Sequence, residues 1–221
     1  MTSATFSGIA TYGADALAAY LLGSIPFGYL VARWRGVDIR RHGSGNIGAT
    51  NVFRVVGKGW GILTFILDFA KGFVPAFLFP WCARRLALPV NGDALAVAGA
   101  CLAVAGHNWP VFLRFKGGKG VATSAGALLG IAPAAVGIGL AVWLLAFVLS
   151  RYVSVASILT AAAAAMSAWW LYFRQDDPDT WLRPGALTLM AAVIIARHKG
   201  NIQRLCQGTE HRFALSKPKQ P

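Results

Sequence analysis

Charged residues, and acidic ones above all, are scarce in this sequence. Asp and Glu together number 8 against 21 Lys and Arg, and the four charged types make up only 13% of the 221 residues. A soluble domain is about one quarter charged, whereas 56% of this chain is hydrophobic. These proportions exclude an ordinary soluble domain and predict a protein whose surplus apolar surface faces lipid.

Cysteine is also rare. The chain has three, Cys82, Cys101 and Cys206, an odd number at wide spacing. Such a set excludes a disulfide framework and does not have the spacing of zinc ligands. We interpret all three as packing residues.

The N-terminal segment lacks basic residues. Met1–Tyr12 contains no Lys or Arg, and Arg33 and Arg35 follow the first apolar run. A secretory signal peptide would carry its positive charge before its apolar segment. This order predicts a retained first helix with the N-terminus outside.

Apolar stretches long enough for membrane helices are abundant. A hydrocarbon core of about 30 Å requires about 20 helical residues. The run from 121 to 149 fits one kinked helix or two helices separated at Pro133, and only two helices keep the basic motifs on one side of the membrane. We predict about seven helices, at Ala14–Trp34, Gly59–Trp81, Asp93–Ala105, Val121–Ala132, Ala134–Leu149, Val153–Phe173 and Ala186–Ala196.

The distribution of charge indicates topology. Basic residues between Arg33 and Lys58 and from Arg197 onward indicate cytoplasmic segments, and the acidic Gln175–Thr180 indicates an outside loop. The net charge of +13 therefore needs no nucleic-acid partner.

The short fourth helix rises only about 18 Å, so we expect it to begin within Gly117–Gly120. The prediction is an all-α integral membrane protein with a cytoplasmic C-terminus and a cytoplasmic-face active site.

The first of three basic motifs, Arg40–Arg54, combines glycines with neutral donors and arginine. Its glycines let backbone N–H groups turn toward an anion, and Arg54 suits a phosphate because its donors form a planar fork. A polar connecting loop is the alternative. The candidate residues are Ser44, Asn46, Thr50, Asn51 and Arg54.

The second motif, Gly106–Thr123, contains Gly-Gly-Lys-Gly. It is not a Walker A loop, because Leu113 and Gly120 occupy positions that require Gly and Ser or Thr. We interpret it as a phosphate nest in front of a helix N-terminus. His107 could be a general base, a phosphate ligand or a capping histidine. The other candidates are Gly117, Gly118, Lys119 and Thr123.

The third motif, Arg197–Phe213, follows the last apolar helix. Its basic residues are weak evidence by themselves. Asn201 and Glu210 are the informative residues, because membrane topology does not require them. Ser154, within Ser150–Ser157, is expected near the same face, although serines also cap helices.

One acid–base pair falls inside the second apolar helix. Asp68 and Lys71 are three residues apart and share a helix face. Ionisable groups at such depth indicate function by default, although this pair could simply neutralise itself.

The ordered motifs SGNIGATN, GHNWPVFLRFKGGKGVAT, RYVSVAS and RHKGNIQRL resemble those of the bacterial acyl-phosphate:glycerol-3-phosphate acyltransferase family (PlsY). The resemblance covers nearly the whole chain and implies one membrane-embedded acyltransferase domain, residues 1–221. Its motif regions are 40–58, 106–123, 150–157 and 197–213.

The resemblance implies transfer of a fatty acyl group from acyl phosphate to the 1-hydroxyl of sn-glycerol 3-phosphate, giving lysophosphatidic acid and phosphate at the bacterial inner membrane. It implies no metal, no cofactor and no obligatory protein partner. The base could be His107, His198 or a substrate phosphate. The expected catalytic residues are His107, Ser44 and Asn201, and the expected substrate-binding residues are Asn46, Thr50, Arg54, Gly117, Gly118, Lys119, Thr123, Ser154 and His198.

Other classes of protein fit the residues less well. A transporter of organic phosphates should show paired repeats with mid-membrane sites, whereas these motifs collect on one face. An alcohol phosphotransferase needs clustered aspartates, but the predicted cytoplasmic side offers only Asp38 and Glu210 as acids. A structural membrane protein would leave the glycine-rich motifs unexplained.

Overall fold

The computed structural model describes residues 3–174 and 181–213, which form helices and loops without any strand. The predicted acidic loop, Gln175–Thr180, lies outside the described residues. The all-helical prediction is confirmed. The α-helices are α1 Ser3–Ser24, α2 Phe27–Trp34, α3 Ala49–Val55, α4 Lys58–Phe73, α5 Phe79–Arg85, α6 Gly92–Asn108, α7 Val121–Ile131, α8 Pro133–Ser150, α9 Val153–Tyr172, α10 Leu182–Arg197 and α11 Lys199–Cys206.

Five helical segments of the described chain are long and apolar enough to cross a membrane. Two shorter helices, α7 and α10, also lie in the bundle, so the count of seven crossings stays a prediction. The five segments are Ser7–Trp34, Lys58–Arg85, Gly92–Leu113, Pro133–Ser150 and Val153–Tyr172.

Prolines interrupt two of these spans. Pro26 separates α1 from α2, because its ring leaves no backbone N–H for a helical hydrogen bond. Between α4 and α5 the chain widens into a π-helical turn, Val74–Leu78, which contains Pro75. The turn lets the helix continue to Arg85 as one membrane-length segment.

Small residues bring the helices of the bundle into close contact. A side chain at Gly23 would collide with the Ala103 backbone, 2.2 Å away, and one at Gly72 with the Thr123 carbonyl, 2.0 Å away. Such contacts join α1 to α6 and α4 to α7, as expected where helices associate by backbone approach rather than by the hydrophobic effect. The central core is correspondingly rich in alanine.

Several helix boundaries differ from the sequence prediction by a few residues, and Pro26 breaks the predicted helix Ala14–Trp34 in two. Two starts differ for a local reason. The first helix begins at Ser3 rather than Ala14, since the mixed polar and apolar residues before Ala14 include no proline to stop a helix. The fourth apolar helix begins at Val121, after the glycine loop rather than within it. Gly120 has a left-handed φ of 79°, which a right-handed helix cannot include.

The two ends of the bundle differ in composition. At one end, α6 and α10 begin, and Asp93 pairs with Arg183 at 2.9 Å. At the other end, α6, α8 and α10 finish, α7 and α9 start, and α3 and α11 lie beside them. The three sequence motifs meet at this second end.

Candidate active site

A cavity of about 190 Å3 opens where the motifs meet. Its wall combines basic and neutral polar groups with apolar side chains from α4, α8 and α9. The lining residues are Ser44, Asn46, Gly48, Ala49, Thr50, Asn51, Arg54, Phe65, Asp68, His107, Lys119, Gly120, Val121, Ala122, Trp143, Val153, Ser154, Ser157, His198, Asn201, Arg204, Glu210 and His211.

The buried amide of Asn51 holds the first motif in shape. Its Nδ2 donates to the carbonyls of Asn46 at 2.8 Å and His42 at 3.1 Å, and its Oδ1 accepts from the Ser44 N–H at 3.0 Å. Asn51 is only 2% exposed. This amide is therefore committed to the loop itself and holds the backbone beside Ser44 at the cavity.

Arg197 and His107 hold the glycine loop from two sides. The Arg197 guanidinium donates to the carbonyls of Gly117 at 2.9 Å and Gly118 at 2.8 Å. The N–H of Gly118 donates to the His107 carbonyl at 3.1 Å. Lys119, the next residue, extends into the cavity, where its Nζ donates to Asn201 Oδ1.

Glu210 organises the third motif. Its Oε1 accepts from Asn201 at 2.6 Å and from Ser154 at 2.9 Å, and its Oε2 accepts from Arg204 at 2.7 Å. These donors, and the charge of Arg204, hold the pKa of Glu210 below its ordinary value against partial burial. An ionised Glu210 therefore fixes three side chains of the cavity wall.

A C-terminal strap, residues 207–213, carries Glu210 across the bundle. The strap ends with the N–H of Phe213 donating to the Arg151 carbonyl at 2.8 Å. The Phe213 ring lies between those of Phe53 and Phe147, each 5.4 Å away. The strap thereby ties α11 to α3, α8 and the start of α9.

The ionisation of the cavity bases follows from their burial. Burial lowers the pKa of Lys119 to about 8, partly opposed by Glu210. Burial, with Lys119 nearby, lowers the pKa of His198 to about 4, so this imidazole is neutral near pH 7. The Ile194 carbonyl lies 2.8 Å from its Nδ1 and can only accept, so Nδ1 carries the proton and Nε2 is left as an acceptor.

Nine of the twelve predicted site residues line the cavity. They are Ser44, Asn46, Thr50, Arg54, His107, Lys119, Ser154, His198 and Asn201.

The other three lie outside the lining. Gly117 and Gly118 turn their carbonyls to Arg197, and the Gly118 N–H is already bonded to His107, so they do not present the predicted row of free N–H groups. Thr123 is fully buried in α7, with its backbone against Gly72 of α4.

Sequence reasoning missed Arg204 as a cavity residue. It also left Glu210 and Asp68 unassigned, although all three line the cavity. The spacing of Asn201 and Arg204, three residues apart on one helix, was an available signal for Arg204. Nothing local indicated that Glu210 would bond to Ser154, 56 positions earlier.

Comparison with known proteins gives a consistent match. The glycerol-3-phosphate acyltransferase family model matches residues 14–208. A glycerol-3-phosphate acyltransferase of Desulforamulus reducens is 44% identical over 203 residues, which is 91% of this chain and 94% of the relative. One from Aquifex aeolicus is 45% identical over 195 residues, covering 88% and 95%.

Two solved structures are also similar. Both are crystal structures of PlsY (YgiH), an integral membrane glycerol 3-phosphate acyltransferase, one in its glycerol 3-phosphate form and one in its lysophosphatidic acid form. Their TM-scores are 0.79 and 0.77, each at 40% identity, with 96% of both chains covered.

Proposed function

This chain belongs to the glycerol-3-phosphate acyltransferase family, and on that premise we propose that it acylates the 1-hydroxyl of sn-glycerol 3-phosphate. The donor in this proposal is a fatty acyl phosphate, and the products are lysophosphatidic acid and inorganic phosphate. This reaction is the first acylation of phospholipid synthesis. The proposal includes one membrane-embedded domain and no metal or cofactor.

The observation that carries the proposal is the composition of the cavity. Three cationic side chains, Arg54, Lys119 and Arg204, line one chamber with neutral hydroxyl and amide donors. Both proposed substrates carry phosphate, which such groups bind through charge and hydrogen bonds. Phe65, Trp143 and Val153 line the same chamber, and such apolar side chains suit a fatty acyl tail.

The chemistry requires little more than positioning. The glycerol hydroxyl attacks the carbonyl carbon of the acyl phosphate, a C–O ester bond forms, and the bond to the phosphate oxygen breaks. Because an acyl phosphate is a mixed anhydride with a good leaving group, no covalent enzyme intermediate is needed. Fixed positive charge around the phosphates stabilises the developing negative charge.

The proton of the attacking hydroxyl needs an acceptor. His198 offers a free Nε2, but its pKa of about 4 makes it a weak base. A phosphate monoester has a second pKa of about 6 and is the stronger base at neutral pH. We assign the proton to a substrate phosphate and a hydrogen-bonding role to His198.

The site residues divide by position. Arg54 and Lys119 bind phosphate by charge, while Ser44, Asn46, Thr50 and Ser154 supply neutral contacts. Asn201 stands between Lys119 and Glu210. The proposal places this end of the bundle at the cytoplasmic face of the bacterial inner membrane, with the N-terminus outside, so that water-soluble glycerol 3-phosphate reaches it directly.

Turnover by the purified protein in detergent tests the proposal. Palmitoyl phosphate is supplied with and without glycerol 3-phosphate, palmitoyl-CoA serves as a parallel donor, and phosphate and lysophosphatidic acid are both quantified. We expect product only with acyl phosphate and glycerol 3-phosphate together, and a loss in Lys119→Ala. Equal use of the CoA donor, or no turnover by folded protein, would refute the proposed donor or reaction.

A further inference from the structure

Three ionisable side chains, Lys71, Asp68 and His107, form a buried row beneath the glycine loop. The side chains of Lys71 and Asp68 are 1% and 2% exposed, and that of His107 is 4% exposed. Asp68 and His107 line the cavity, and Lys71 lies behind them. The proposed reaction assigns no step to any of the three.

Lys71 is tied to the break between α1 and α2. Its Nζ donates to the Ile25 carbonyl at 2.8 Å and lies 5.6 Å from the centre of the Phe27 ring. The same Nζ lies 2.8 Å from Asp68 Oδ1. The ammonium group therefore fixes the carboxylate of α4 relative to the neighbouring helices.

Asp68 in turn faces His107. Its Oδ1 lies 3.6 Å from His107 Nδ1, which is too long for a hydrogen bond but close enough for one after a small rotation. His107 Nδ1 is buried, and no other group of the described residues hydrogen-bonds to it. The carboxylate is thus the group that orients this imidazole.

The opposite side of the imidazole supports Gly118. A side chain on Gly118 would lie 2.1 Å from His107 Nε2, and the His107 carbonyl accepts the Gly118 N–H at 3.1 Å. His107 therefore contacts Gly118 through both its ring and its backbone. Lys119 follows Gly118 directly, so the contact between His107 and Gly118 helps to position the Lys119 side chain in the cavity.

We propose that Asp68, held by Lys71, is a positioning residue that acts through His107 to fix the glycine loop, and with it Lys119, in the glycerol 3-phosphate site. The inference rests on the proposed function. If the ion pair only stabilised helix packing, its carboxylate would not need to lie at the cavity wall. Nor would it need to lie beside His107 Nδ1. Misplacing a binding group by about 1 Å can cost as much as 100-fold in rate.

The decisive variant removes both charges. Removing one partner of a buried ion pair leaves an uncompensated charge, whereas replacing both is often neutral for stability. In Asp68→Asn/Lys71→Met we expect an unfolding temperature near that of the wild type, with the KM for glycerol 3-phosphate raised about tenfold or more. A folded double variant with wild-type KM would overturn the inference. The control is Asp93→Asn/Arg183→Met, which removes a half-exposed ion pair at the other end of the bundle.

His107→Asn supplies a second test that leaves the ion pair intact. We expect the same rise in KM with a smaller change in kcat, and a non-additive effect when it is combined with Asp68→Asn/Lys71→Met. Additive effects, or a loss confined to kcat, would instead make His107 an independent or catalytic group and overturn the inference. For both sets of variants we also measure how far glycerol 3-phosphate, added without acyl donor, raises the unfolding temperature. Turnover by the wild-type protein tests the proposed function alone. A failure of the proposed function can therefore be distinguished from a failure of the positioning role of Asp68.

Discussion

Lys119 donates a hydrogen bond to Asn201 although 82 positions separate the two residues. The contact joins the glycine loop before α7 to α11, and Asn201 continues it to Glu210 at 2.6 Å. A cation is thereby fixed in a cavity that also contains Arg54 and Arg204. Glu210 partly offsets the mutual repulsion among these cations.

The charge of Lys119 should set the alkaline limit of activity. Its pKa is lowered to about 8, so the charged form is present below that pH and is lost as the pH rises through it. We expect kcat/KM for glycerol 3-phosphate to fall above about pH 8. Lys119→Arg should retain activity and abolish this limit because arginine stays charged, while Lys119→Ala should lose about 100-fold or more. An unchanged limit in Lys119→Arg would mean that another group titrates.

Glu210→Gln should disorganise the cavity wall. Only one of the present acceptor oxygens would remain, so bonds to Ser154, Asn201 or Arg204 are lost, at a cost of about 1–3 kcal/mol in the free energy of unfolding. The pKa of Glu210 is lowered in the folded protein, so ionised Glu210 stabilises the fold fully above the ordinary pKa of a glutamate. This stabilisation is lost as the pH falls through the lowered pKa. Thermal unfolding against pH should show this acid-sensitive contribution in the wild type and not in the variant.

Gly118→Ala tests the contact with His107. The added methyl group would lie 2.1 Å from Nε2, so either the loop or the imidazole must move, and kcat/KM for glycerol 3-phosphate should fall about 10-fold to 100-fold. Gly137→Ala in α8 is the control, since a methyl group there meets nothing within 4 Å. Wild-type kinetics in Gly118→Ala would show that the loop tolerates displacement.

Phe213→Ala should loosen the C-terminal strap. The ring contacts both Phe53 and Phe147, and loss of such aromatic pairs costs about 0.5–1.5 kcal/mol each. Because the strap carries Glu210, we expect lower thermal stability together with a reduced kcat/KM. Phe112→Ala, at a side chain that is 58% exposed, is the matched control and should change neither.

Cys206 reports the orientation of the protein. It is exposed at the end of α11, beside the candidate site, so the interpretation of this cysteine as a packing residue is wrong. A membrane-impermeant maleimide should label it in inverted vesicles and not in intact spheroplasts, with Cys206→Ser as the control for labelling elsewhere. Labelling in spheroplasts alone would reverse the proposed orientation.

Several features of the fold could be predicted because they depend on neighbours in sequence. The hydropathy of a stretch of about 20 residues depends only on those residues, so most ends of the apolar helices were predicted to within a few residues. The start of α7 was predicted too early, because a left-handed Gly120 cannot be read from glycine content. The start of α1 was missed because the Ser, Thr and Gly residues before Ala14 interrupt the apolar signal.

The candidate site was only partly accessible from sequence. Glycine, lysine and arginine in short motifs indicated an anion site, and nine of the proposed residues do line the cavity. The role of Asn51 in its own loop and the turning of the Gly117 and Gly118 carbonyls to Arg197 depend on backbone direction, which residue types do not specify.

The sequence by itself determined that the protein is an integral membrane protein, that it is all-helical and which family it belongs to. Composition and the order of motifs can be read from the sequence without any tertiary contact. The tertiary structure decided which motifs share one cavity, that Glu210 bonds to Ser154 and Arg204, and that His107 lies between Asp68 and Gly118. Those contacts join residues far apart in sequence. They form because close packing of small residues brings several helices together at one end of the bundle.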